Sequence, residues 1–211
     1  MFLIYLFSVI MTVQVRTLPV IVLVKFHFRV STELCQQGKF VSYIQNNLTF
    51  HQTCVQHNNF VVLRTAENSF VFTIFDSGFI NCTGLSKLDT IPEAIRYTKE
   101  IIFKGTAVIH AFKIDTITAC GQYGESIRLS SIACVPKLSI DGAKDNFNYH
   151  ITFNPEAFAG LTIRFPGYKG TLNIFSSGQM VIIGTNTYED MLAVYHRGCS
   201  IISRCVSLDK K

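Results

Sequence analysis

Tryptophan is absent from this 211-residue chain, proline occurs only five times, and charged residues make up just 16%. With 48% apolar residues beside so little charge, the composition excludes a disordered chain and leaves enough apolar surface for a full core. No C-x-x-C occurs, and the seven cysteines are odd in number, which does not suit a disulfide framework; reduced, mostly buried thiols are expected. Signatures of catalysis are missing too: there is no G-x-S-x-G, no phosphate-binding P-loop and no H-E-x-x-H, and the 14 acidic residues form no cluster. An enzyme is therefore not expected, nor a small-molecule substrate. His51-x-x-Cys54-x-x-His57 lacks a fourth ligand at useful spacing, so no metal and no cofactor is expected.

Long apolar runs are also lacking. Met1 to Val13 is apolar, but Gln14 and Arg16 interrupt it short of the roughly 18 residues of a membrane span. It has neither a basic flank nor a small-residue cleavage site, so residues 1–25 read as a leader or extension, without stable membrane association. Cleavage after that segment would instead indicate a secreted or tethered domain. The formal charge of +5 permits an acidic partner without demanding one.

What the chain does have is an internal echo. Phe72 to Gly84 reads FTIFDSGFINCTG, and Leu172 to Gly184 reads LNIFSSGQMVIIG. Arg64 and Arg164, Ile74 and Ile174, Phe75 and Phe175, Ser77 and Ser177, Gly78 and Gly178, and Gly84 and Gly184 are all 100 residues apart. In each copy an apolar run turns at Ser-Gly and returns, which predicts a hairpin. Helices are predicted after the hairpins, roughly over 90–103, with Pro92 in the first turn, and over 188–205, with an apolar stripe at Met191, Val194, Tyr195 and Ile202. Alternation places Thr171, Asn173 and Phe175 on one strand face, with Leu172 and Ile174 on the other. At the front of each half, Phe28 to Thr32 and Thr116 to Cys120 read as equivalent strands at an offset of 88. That leaves about 12 extra residues in the second half, assigned to a polar loop near 137–150. Two halves, 26–108 and 109–211, make a duplicated α+β domain.

The stretch Phe153-Asn154-Pro155-Glu156-Ala157-Phe158-Ala159-Gly160-Leu161, then Arg164 and NIFSSGQMVIIG, resembles the TATA-box-binding protein family, as do Phe112-Lys113-Ile114 and Ile127-Arg128-Leu129. The likeness runs from about Phe26 to Cys205, strong in the second repeat and faint in the first. It implies a saddle: two pseudo-symmetric repeats forming one continuous curved antiparallel sheet, with helices on the convex face. The underside would bind the minor groove of double-stranded, AT-rich promoter DNA. The helices would meet general transcription factors or RNA polymerase, in the nucleus or at a cytoplasmic transcription site. Bending DNA with apolar wedges is the established behaviour of this family.

Carried over by position, Phe158 and Phe175 match the second repeat's kinking pair, and Phe75 matches one member of the first. Its partner position is Asn58, with Phe60 two residues away as a substitute. Arg64, Arg164, Ser77 and Ser177 match contacts to the DNA backbone. Val30 and Thr83 match base-edge positions on the underside, with Thr118 the counterpart of Val30. The family's central asparagines fall at Phe28 and Thr116, the lysines after Ser-Gly at Phe79 and Gln179, and the lysines after T-G-x at Ser86 and Asn186. Two expectations follow: a divergent member, as from a fast-evolving source such as a virus, that still binds promoter DNA; or an interaction module that keeps the saddle without autonomous DNA binding.

Overall fold

The computed structural model describes residues 18–31, 39–47, 52–56, 59–65, 70–105, 107–134 and 149–209. The apolar leader up to residue 17, Cys35, Asn58, the ligand residues His51 and His57, the side chain of Cys54 and the loop at 137–148 lie outside the described residues. The chain divides into two compact units, Val22–Thr116 and Met1–Ile21 with Ile117–Lys211.

In the first unit the strands are β1 (Val20–Ser31), β2 (Gln52–Gln56), β3 (Phe60–Thr65), β4 (Val71–Phe75) and β5 (Phe79–Leu85), hydrogen-bonded in the order β2-β3-β4-β5-β1. All these pairs are antiparallel. In the second unit the strands are residues Ile117–Gln122 of β6 (Val108–Gln122), then β7 (His150–Thr152), β8 (Leu161–Arg164), β9 (Thr171–Ile174) and β10 (Gln179–Thr185), in the order β6-β10-β9-β8-β7, again antiparallel. Helices are α1 (Phe40–Asn47), α2 (Ile91–Tyr97), α3 (Leu129–Cys134) and α4 (Tyr188–Asp209). The fold is thus α+β with antiparallel strands, as expected. β1 begins at Val20, before the boundary at 26 set from the sequence.

Each strand is two-faced because side chains alternate. Leu63, Phe72, Ile74, Ile80 and Cys82 face inward in the first unit, and Ile163, Leu172, Ile174, Met180 and Ile182 in the second, all fully buried. Helices cover this face: α4 packs on β9 and β10, and α1 on β4. Tyr97 of α2 stacks on Phe72 at 5.9 Å. The offset of 100 continues through the helices, where Ile91 and Met191, Ala94 and Val194, and Ile102 and Ile202 are buried pairs.

One pair of helix positions differs in size. Tyr195 is wholly buried over Gly121 of β6, where a Cβ would meet its ring at 2.5 Å. The corresponding places in the first unit hold Phe28 on the strand and Ile95 on the helix.

The predicted helix over 90–103 is α only as far as Tyr97, and residues Thr98–Ile102 widen into a π turn. Buried Thr98 bonds back to the Ala94 carbonyl at 3.0 Å, and the Phe103 amide reaches the Thr98 carbonyl at 3.1 Å. Left-handed Lys104 and Gly105 then end the segment. The second helix forms as predicted and extends to Asp209. Among the described residues, no helix is long and apolar enough to cross a membrane.

Candidate nucleic-acid interface

The hairpins that the echo predicts form in both units with the same turn. Gly78 and Gly178 donate their amides to the carbonyls of Phe75 and Phe175, each at 2.9 Å, with φ of 76° and 83°. This is a type I turn closed by a left-handed residue, which glycine adopts without a Cβ penalty. Farther along the strand, bulges break the register between Val24 and Phe26 and between Ile182 and Thr185, beside left-handed Gly84 and Gly184.

The turns place one phenylalanine of each hairpin on the face away from the helices. In the second unit Phe175 meets Phe158 edge-on, with ring centroids 5.7 Å apart and planes at 70°. Phe158 is 44% exposed, on a turn whose amide bonds back to the Asn154 carbonyl. Gly160 lies beneath both rings: a Cβ there would come within 2.6 Å of Phe158 and 3.1 Å of Phe175. In the first unit Phe60 is the direct cross-strand partner of Phe75, with rings 5.4 Å apart. The open face of each unit therefore carries a half-buried aromatic pair. Phe60 supplies the member that spacing from Arg64 had assigned to Asn58.

Arg64 and Arg164 are exposed on this same face at the ends of β3 and β8, and Ser77 and Ser177 are exposed in the turns. Thr83, half-buried, lies opposite Val71 on the open side of β5. Asn173 is there too, accepting at its Oδ1 from the Thr162 hydroxyl across β8 and β9 at 2.9 Å. Thr116 and Thr118 share the half-buried side of β6 with Cys120.

Val30 does not belong to this face. It is 3% exposed and shares the inward side of β1 with Val24, Phe26 and Phe28. Strand pairing gives the reason. Arg29, Phe28 and His27 pair with Phe79, Ile80 and Asn81, while Gln122, Gly121 and Cys120 pair with Gln179, Met180 and Val181. The halves thus correspond at an offset of 93 (122 − 29), not 88, and the second half carries 7 extra residues (100 − 93) rather than about 12. The odd five-residue slip turned every side chain over. The counterparts of Thr116 and Thr118 become Leu23 (116 − 93) and Lys25 (118 − 93). The open face of β1 is then Lys25, His27 and Arg29, three basic residues that the sequence comparison had passed over. The amides of Val30 and Tyr123, each at 2.9 Å from the carbonyls of Gly78 and Gly178, repeat the same offset. Matching the strands through the hairpins they pair with would have found these residues.

His27 is held by Asp115, Nδ1 to Oδ1 at 2.7 Å, and its ring packs on Phe79 at 4.9 Å. Buried cysteines do not contribute chemistry to the face. Burial pushes the Cys199 thiol up to about 11 and the Cys82 thiol higher still, so neither is a thiolate at neutral pH. None of the five described cysteines, Cys82, Cys120, Cys134, Cys199 and Cys205, is in a disulfide.

Comparison with known proteins matches both halves. Residues 25–105 and 111–205 match the family described as Transcription factor TFIID (or TATA-binding protein, TBP). The TATA-box-binding protein of Archaeoglobus fulgidus is 30% identical over 136 residues, 62% of this chain and 67% of that protein. That of Methanocaldococcus jannaschii is 32% identical over 133 residues, 62% of this chain and 66% of that protein. The one from Acanthamoeba castellanii is 28% identical over 155 residues, 71% of this chain and 56% of that protein. These alignments take in about two thirds or less of the relatives' lengths. Among solved structures, Methanococcus jannaschii TBP superposes with a TM-score of 0.69 at 21% identity, covering 89% of this chain and 99% of that one, which shows a shared fold. With both repeats matched over most of its length, the chain belongs to the TATA-binding protein (TBP) family of transcription factors.

Proposed function

We propose that the protein is a divergent transcription initiation factor that binds AT-rich promoter DNA in the minor groove, and that its helical face recruits general transcription factors or RNA polymerase. It acts by binding and not by catalysis, in the nucleus or at a cytoplasmic site of transcription. The observation that carries this reading is the aromatic pair on the open face of each unit, Phe60 with Phe75 and Phe158 with Phe175. A ring entering a base step costs a few kcal/mol of unstacking, which contact along the bent groove offsets. Arg64 and Arg164 stand on the same face to meet phosphates, Ser77 and Ser177 reach the backbone from the turns, and Thr83, Thr116 and Thr118 line the approach to base edges.

The test is bending of an end-labelled TATA-like duplex, read by energy transfer, with a Phe158→Ala/Phe175→Ala variant alongside. Bending that falls in the variant supports the wedge mechanism. Absence of binding, or binding without bending that the variant leaves unchanged, would favour an interaction module acting through its helices alone.

A further inference from the structure

Corresponding strands of the two halves present very different chemistry on the open face. β1 offers Lys25, His27 and Arg29, whereas the matching positions of β6 are Thr118, Cys120 and Gln122. Asp115 sits on the His27 ring and offsets any charge it carries, which leaves Lys25 and Arg29 as the stripe's cations. Arg29 is exposed, with its guanidinium carbon 5.6 Å from the centroid of its cross-strand neighbour Phe79. An aromatic face within about 6 Å attracts a guanidinium and orients it without consuming its hydrogen-bond donors. Among the described residues no carboxylate pairs with Lys25 or Arg29. At the matching place in the second unit, the Gln122 amide nitrogen is spent on the Ser177 carbonyl at 2.8 Å.

We infer that Lys25 and Arg29 are phosphate-contacting residues for which the second half has no equivalent, so that the first half grips the DNA backbone with two more cations than the second. This rests on the DNA-binding reading above and gives the complex a built-in polarity. Phe79 takes part as the shelf that aims Arg29. The cation beside Phe79 of β5 is supplied from β1, directly across the ladder.

The experiment is a salt titration of duplex binding for the wild type and for Lys25→Gln/Arg29→Gln, with Arg96→Gln on the helical face as control. Each phosphate contact contributes about 0.9 to the slope of log K against log salt. The double variant should lose about 1.8 of slope, so its affinity deficit should shrink about tenfold between 50 and 200 mM salt, while the control matches the wild type. Thr118→Lys/Gln122→Arg should gain a similar slope. Duplexes with methylphosphonates replacing the phosphates of one half-site should show one side mattering more for the wild type, and that difference should vanish in Lys25→Gln/Arg29→Gln. A wild type that binds with a slope the double variant leaves unchanged overturns this inference alone. A wild type that binds no duplex overturns the DNA-binding reading, and this inference with it.

Discussion

Replacing Gly160 by alanine should disturb the Phe158–Phe175 pair without altering either ring. Gly160 has no positive φ, so an alanine backbone fits there without strain. Its methyl, however, would lie 2.6 Å from Cε1 and 3.0 Å from Cζ of Phe158, and 3.1 Å from Cε1 of Phe175. Carbon contacts are comfortable at about 3.5–4.0 Å, so the Phe158 ring must retreat by roughly 1 Å. Solvent is open to it, since Phe158 is 44% exposed. The fold should then lose little more than the edge-to-face contact, about 0.5–1.5 kcal/mol. At this chain length that lowers the melting midpoint by roughly 2–4 °C per kcal/mol. The effect on DNA should be disproportionate, because a wedge works only from a fixed position. Bending by Gly160→Ala should fall most of the way to that of Phe158→Ala, and the two changes combined should be far less than additive. Energy transfer across a labelled duplex, run beside a thermal melt, measures both. Unchanged bending, or additive losses, would refute the idea that Gly160 acts through the pair.

Four further outcomes are expected. Phe60→Ala should reduce bending about as much as Phe75→Ala, because the two rings form one pair at 5.4 Å; full bending by Phe60→Ala would show that the first unit's wedge is built otherwise. Gly178→Ala should destabilise the fold by about 1–3 kcal/mol in urea denaturation, from left-handed backbone (φ 83°) and a Cβ driven into the Glu125 carbonyl. Exposed Cys134 should react with a thiol reagent at pH 8 while Cys82 and Cys199 stay protected until unfolding. The raised thiol of Cys199 also sets a sign: the unfolded chain loses its proton first, near 9, so this contribution to stability is full below pH 9 and declines from there toward about 11. A denaturation series across that window would detect it.

The second half was legible because several local rules agreed there. Its turn residues, its alternation from Thr171 to Phe175 and its N-P-x-x-F-x-G-L stretch all specify one arrangement, and the structure has it. The first unit's aromatic pair was half legible, since Phe60 reaches Phe75 only through the register of β3 against β4. β1 was misplaced for a physical reason. Val20 to Val24 is apolar at every position, so the period-2 signal that fixes which face points inward is missing at the start of the strand. Its register is set from outside, by the bulge beside Gly84 and the ladder to β5, and neither can be read from β1 alone. The π turn after Tyr97 was equally hidden, because a buried threonine bonding back to its own helix has no periodic signature.

The exchange of sizes beneath the strands of the two halves reaches into how such a chain can evolve. In one half the bulk comes from the strand, Phe28, and in the other it comes from the helix, Tyr195 over Gly121. Since the duplication the two copies have solved the same filling problem in incompatible ways. A gene-conversion event copying the first half's β1 over the second's would bring a phenylalanine against Tyr195, and the reverse event would put a glycine in place of the wholly buried Phe28. Recombination between the copies is thereby penalised in both directions, which keeps them apart and leaves each free to acquire its own binding surface.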